Sequence, residues 1–243
     1  MTGSFSRAAK SALLAAALAA SVGANASTVT AIFGNSVTDQ GWTSSTSSGV
    51  ELALRARLRL PVPTNTVNDN GNGTYTHATG AYSLYGYNNL AEWNFDFSIN
   101  SGTNTINGYS YVLGLDTSPS LAAAYVTIDP FTAFFDNSFG NNGTAQGAGV
   151  EAPDFAGQTV LAGQNSVAQN SQNFGWLMPT FDPTVNGTYS LYLAAFDRAG
   201  NQIGRTDITV IVGQGGTVPE PASLGLVGLA LAGVAVASRR KKA

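Results

Sequence analysis

Cysteine is absent from all 243 residues, which excludes disulfides, thiol catalysis and thiolate metal sites. Histidine occurs once, as His77, so a His-rich metal site is excluded and any Ser-His-Asp triad would depend on that single residue. No Gly-x-Ser-x-Gly elbow accompanies it, and a surface position on a strand is the expectation for its imidazole. Charge is sparse, at 10% of residues, and unevenly placed. Arg7 and Lys10 lie near one end and Arg239, Arg240, Lys241 and Lys242 at the other, leaving only Arg55, Arg57, Arg59, Arg198 and Arg205 between them. Thirteen acids face those five arginines once Glu220 is assigned to the tail, a net charge of minus eight without a lysine. Nucleic acid is a poor partner for such a surface.

Both ends read as transport devices. Arg7 and Lys10 form a charged n-region, Ser11 to Ala20 an apolar h-region, and Ala24-Asn25-Ala26 a cleavage site, so residues 1–26 read as a signal peptide with the mature chain starting at Ser27. At the other end Val218-Pro219-Glu220-Pro221 precedes an apolar run from Leu224 to Ala237 and then the four cations Arg239 to Lys242. Residues 222–238 are uncharged, about 17 positions, just enough for a short transmembrane helix. The basic cluster favours the cytoplasmic side and leaves the body outside the inner membrane. Pro219 and Pro221 hold their neighbours extended, which presents an accessible strip to a processing enzyme.

Motif, apolar segment and basic stop in that order resemble the PEP-CTERM sorting signal of Gram-negative bacteria. The resemblance covers residues 218–243, about a tenth of the chain, and implies Sec export, a transient inner-membrane intermediate, processing by exosortase and delivery to the cell surface or extracellular matrix. A Leu-Pro-x-Thr-Gly sortase signal is absent.

The body, residues 27–217, is long enough for one sizeable core. Gly, Asn, Ser and Thr fill its polar positions in place of Lys and Glu, which favours strands and turns. Leu52, Leu54, Ala56, Leu58 and Leu60 alternate with Ala53, Arg55, Arg57 and Arg59, and Trp93, Phe95, Phe97 and Ile99 alternate with Glu92, Asn94, Asp96 and Ser98. Period two over these lengths means half-buried strands. Further strands are expected at 75–79, 82–87, 109–115 and 124–128, a long loop at 135–149 and a short helix at 164–172. Thr188 to Phe196 and Gln202 to Val212 form a hairpin around Asp197 to Asn201, and Tyr189 fits the tyrosine corner of immunoglobulin-like surface domains. Eight to ten short strands predict an all-β fold, an antiparallel β-sandwich of immunoglobulin-like or jelly-roll type.

The chemistry on offer is modest. Arg55, Arg57 and Arg59 at period two would form a ladder with about 7 Å steps for an anionic polymer such as acidic polysaccharide, unless Glu92 and Asp96 face them as cross-strand pairs. Asp116, Asp129, Asp136, Asp154 and Asp182 sit in or beside turns and could offer oxygen ligands to calcium or simply cap backbone, and no cofactor is otherwise implied. Tyr75, Tyr82, Tyr85, Tyr87, Trp42 and Trp176 could form a sugar-stacking platform or belong to the core. Asn72, Asn142 and Asn186 head Asn-Gly-Thr triplets that read as turns. Nothing singles out a catalytic pair of carboxylates. The expectation is an exported, non-enzymatic surface or matrix protein associated with exopolysaccharide in a biofilm. The alternatives are a carbohydrate-active enzyme and a subunit that self-associates through strand edges.

Overall fold

The computed structural model describes residues 26–27, 29, 40–64 and 66–214. The signal segment up to Asn25 and the sorting motif, apolar run and basic stop at 218–243 lie outside the described residues. The elements run β1 (Ala26–Ser27), β2 (Trp42–Ser47), β3 (Val50–Leu58), β4 (Asp69–Gly71), β5 (Thr74–His77), β6 (Ala81–Leu84), β7 (Tyr87–Ala91), β8 (Trp93–Asn100), β9 (Ser110–Asp116) and β10 (Tyr125–Ile128). They continue through α1 (Pro130–Ala133), β11 (Ser138–Gly140), β12 (Val150–Glu151), α2 (Phe155–Ala162), β13 (Val167–Gln172), α3 (Phe174–Leu177), β14 (Gly187–Phe196) and β15 (Gln202–Val212).

Strands occupy 47% of the described residues, and the fold is an all-β sandwich. One sheet has the order β1-β2-β3-β8-β13-β11-β12 and the other β10-β9-β14-β15-β5-β4, with β6-β7 as a separate hairpin. All pairings are antiparallel except β5 with β15, which run parallel from Thr74↔Thr209 to His77↔Val212. The core lies between the sheets, where Leu52, Leu54, Phe95 and Phe97 meet Tyr75, Leu113, Leu191, Leu193 and Val210. The expected hairpin of β14 and β15 forms as read, and Tyr189 is buried within it.

Several expectations need correction. Residues 167–172 form β13 rather than a helix, because both strand edges are taken, one by β8 and the other by β11, and cross-strand hydrogen bonding outweighs local preference. The helix lies earlier, at α2, where the Asp154 carboxylate accepts from Gly157 N at 2.8 Å and caps the first turn. The expected loop at 135–149 contains β11, whose three residues are all buried. The single strand expected at 82–87 is a hairpin, with Tyr85 and Gly86 both at positive φ, 52° and 86°, as a two-residue type I′ turn requires.

His77 is not at the surface. It is 2% exposed and stacks on Trp93 with ring centroids 5.9 Å apart and planes 14° from parallel. Burial holds its imidazole down at about 4 against the usual 6.5, the nearby Ala56 backbone offsetting a little of that effect. The unfolded chain therefore takes up a proton below pH 6.5 that the folded chain refuses until about pH 4. Stability is expected to fall by about 3 kcal/mol as pH drops through that window and to gain nothing above it. Denaturant midpoints across the window test this, and His77→Phe should flatten the slope; an equal slope in the variant would assign it to other groups.

Candidate functional site

The three arginines of the ladder fare differently. Arg55 and Arg57 are fully buried on the face of β3 that points away from the sandwich core, and β3 and β8 pair so that Arg55 stands opposite Asp96 and Arg57 opposite Asn94. Arg55 Nε donates to Asp96 Oδ2 at 2.8 Å, Arg57 Nε donates to the same oxygen at 2.6 Å, and Arg55 Nη2 lies 2.8 Å from it. Arg55 Nη1 also donates to the Gln40 carbonyl at 2.7 Å, and its guanidinium sits 4.5 Å from the Trp42 ring centroid. Arg57 Nη1 donates to the Thr64 carbonyl at 3.3 Å. The outward ladder is thus corrected, because two of its rungs are held inside by one carboxylate. The cross-strand alternative is the one formed, through Asp96. Burial lowers the Arg55 pKa from its ordinary value, and the Asp96 carboxylate opposes that shift. Arg59 is half-buried and makes no ion pair among the described residues; burial and then Arg57 lower its pKa, and Asp96 and, less, Tyr85 partly restore it.

Removal of one member of such a buried group leaves uncompensated charge, at a cost of about 3 to 5 kcal/mol. Asp96→Ala is therefore expected to lower the unfolding free energy by about that amount, measured by chemical denaturation. A loss below about 1 kcal/mol would mean that water reaches the guanidinium groups.

The aromatic candidates divide as sharply. Tyr75 and Trp42 are fully buried, with the Tyr75 hydroxyl and Thr43 Oγ1 2.8 Å apart, and Tyr82 is half-buried on the hairpin. Tyr85, Tyr87 and Trp176 instead converge on an open groove of about 560 Å³, together with Phe135, Asp136, Gln172 and Leu177. Tyr85 is 85% exposed, Phe135 48% and Tyr87 44%, so large ring faces are presented to solvent. Tyr85 holds a left-handed backbone conformation that a bulky side chain rarely adopts, a local cost of about 1 to 3 kcal/mol kept at the groove's rim.

Side-chain amides fix this rim. The Asn173 Nδ2 donates to Ala91 O at 2.8 Å, Trp93 O at 3.1 Å and Asn94 Oδ1 at 2.8 Å, while its Oδ1 accepts from Ala91 N and Gly175 N. Asn89 Nδ2 donates to Met178 O and Phe181 O, joining β7 to the segment after α3. Gly175 lets the hairpin approach, since a Cβ there would collide with the Asn89 carbonyl. On the opposite wall Phe135 packs edge-on against Phe155 at 5.7 Å. Asp136 Oδ1 accepts from Asn170 Nδ2 at 3.0 Å and Gln172 Nε2 at 3.3 Å, so the polar pair on the groove is pre-oriented. Sequence reasoning placed Tyr85, Tyr87 and Trp176 among the candidate aromatics but missed Phe135, which lay in a stretch read as loop.

The remaining candidates have structural partners. Asp129 accepts from Phe131 N and caps α1, as Asp154 caps α2. Asp116 accepts from Ser118 N, Ala124 N and Ser190 N, and Asp182 from Thr184 N and Oγ1. Among the described residues no three His, Asp or Glu side chains gather as metal ligands. Among the described residues Asp136 is the one carboxylate lining the groove, so no second described acid pairs with it there.

Fold and groove together define an all-β sandwich with an open aromatic cleft. Residues 217–241 match the PEP-CTERM protein-sorting motif, so the chain is an exported protein bearing the recognition signal of exosortase, with export across the membrane to the cell surface implied. No curated protein matches the chain. Among solved structures it is similar to the PmoD soluble domain from Methylocystis sp., with 7% identity over 70% of this chain and 96% of that one and a TM-score of 0.32. A likeness at that level supports no reading of function.

Proposed function

We propose that this exported protein is a non-enzymatic surface or matrix component that holds a neutral polysaccharide in the groove of Tyr85, Tyr87, Phe135 and Trp176. Convergence of exposed rings on one cleft is the observation that carries this reading. A pyranose has an apolar face of C–H bonds that stacks on aromatic rings, while its hydroxyls need directed polar partners such as the Asp136 carboxylate and the Gln172 amide. The electrostatics favour a neutral chain over an acidic one. With Arg55 and Arg57 occupied internally, and Arg205 held by Asp207 with Nη2 to Oδ1 at 2.5 Å, few cations of the acidic body are left to meet an anionic polymer.

On this reading Trp176→Ala and Tyr87→Ala each weaken binding to a neutral glucan or galactan by about tenfold, equivalent to about 1.4 kcal/mol, in affinity electrophoresis or calorimetry. Their melting temperatures should stay near that of the parent, because both rings are at least partly in solvent. Unchanged binding in both variants, or tighter binding to an acidic polymer than to any neutral one, would overturn the assignment.

Delivery follows from the tail: insertion of residues 222–238 in the inner membrane, cleavage near Val218-Pro219-Glu220-Pro221, and release to the cell surface or biofilm matrix. Pro219→Ala combined with Pro221→Ala removes the backbone constraint that the two prolines impose, and the variant should accumulate in the inner membrane with Arg239 to Lys242 still attached. Mass spectrometry of fractionated cells reads the outcome; normal release of the double variant would show that the prolines are not what the enzyme reads.

A further inference from the structure

We propose that the end of the sandwich from which the tail departs is a lipid-facing surface, formed by residues 117–124 and 182–186, that rests on the outer face of the bilayer until the tail is cut. The proposal builds on the reading of residues 222–238 as a membrane span. Strand β15 ends at Val212, paired with Gly187, and the next backbone groups are tied down at the same end: Gly213 N donates to His77 O at 2.8 Å and Gln214 N to Asn186 Oδ1 at 3.2 Å. The chain therefore leaves beside the loop 182–186. Thr188 N donates to Pro119 O at 3.0 Å, which brings the loop 117–124 alongside. The two loops meet around a cavity of about 120 Å³ lined by Thr117, Pro119, Asp182, Val185 and Tyr189.

Both loops present apolar side chains to solvent, Leu121 at 55% exposure and Val185 at 44%. Residues 117–128 contain no charged side chain in a body of net charge minus eight. Asp182 is the single charge of the two loops, and its carboxylate is turned to Thr184, accepting from N at 2.9 Å and Oγ1 at 2.6 Å. Length sets the geometry: nine residues separate Gln214 from Leu224, a reach of about 35 Å at full extension. A body tethered so closely meets the bilayer at a high effective concentration, and weak apolar contacts suffice to hold it there. Lipid is the occupant because the chain leaves beside these loops toward an apolar run within that reach, and the loops carry the aliphatic tips of Leu121 and Val185 with a single charge between them.

The absence of cysteine permits a clean test on the full chain. Single variants Leu121→Cys, Val185→Cys and Ala199→Cys are labelled with an environment-sensitive fluorophore and reconstituted into vesicles of phosphatidylethanolamine and phosphatidylglycerol containing brominated lipid. Ala199 lies in the β14-β15 turn, at the far end of those strands. Labels at 121 and 185 should shift to the blue and lose most of their emission, while the label at 199 keeps its aqueous spectrum. Equal behaviour at all three positions, or aqueous spectra at 121 and 185 on vesicles that carry the protein through flotation, would overturn the proposal. Failure of the full chain to float with the vesicles would instead remove the membrane-span reading beneath it. Glucan binding by the labelled variants, measured in parallel, reports the groove separately.

Discussion

Asp96 holds two arginines inside the protein, and much of the sandwich is arranged around that fact. One carboxylate oxygen receives both Nε donors, leaving an excess positive charge that is met by the Gln40 and Thr64 carbonyls and the face of Trp42. Charged groups stay in such a place only if every partner is in register, since isolated burial would cost far more than their attraction returns. The pairing of Arg55 with Asp96 therefore pins β3 against β8 at the centre of the larger sheet. A slip of one residue would expose the leucines and phenylalanines of both strands on the wrong face and separate these charges at once.

The same interaction shapes what the surface can bind. With Arg55 and Arg57 turned inward, the acidic body keeps few cations for its surface, and its open cleft of rings carries the single carboxylate of Asp136 among the described residues. That cleft exists because the half-buried amide of Asn89 and the buried amide of Asn173 join the hairpin of β6 and β7 to α3 and the segment after it. Cleft and scaffold thus depend on side-chain hydrogen bonds whose donors and acceptors lie far apart in the chain. This fits a protein without disulfides that has to remain folded outside the cell.

Legibility in the sequence followed the range of the interactions. The alternation at 52–60 and 93–99 predicted two strands, and both are present, because period two reports directly on burial of one face. Alternation could not report that the second face is buried as well, as it is along all of β8. The polar run Val167 to Gln172 was unreadable for a related reason: Gln169 bonds to Ser98 Oγ, and Asn170 to Asp136 and Asn137, partners found only once the sheet has formed. His77 carried no local sign of burial, since the ring that covers it, Trp93, belongs to another strand. Of the groove, the sequence offered the right residue types in Tyr85, Tyr87 and Trp176 and no means of separating them from the buried Tyr75 and Trp42.

What the sequence determined by itself is the protein's itinerary and class. The sorting motif at residues 217–241, with its Pro-Glu-Pro triplet, apolar run and basic stop, is a linear signal legible without the fold of the body. The all-β character is equally local, set by composition and by the two-residue period. Only the tertiary structure decided which arginines are available, which tyrosines meet in a cleft and which loops stand beside the departing tail. Those outcomes depend on strand order and on packing between residues tens of positions apart, and neither leaves a trace in the spacing of neighbours along the chain.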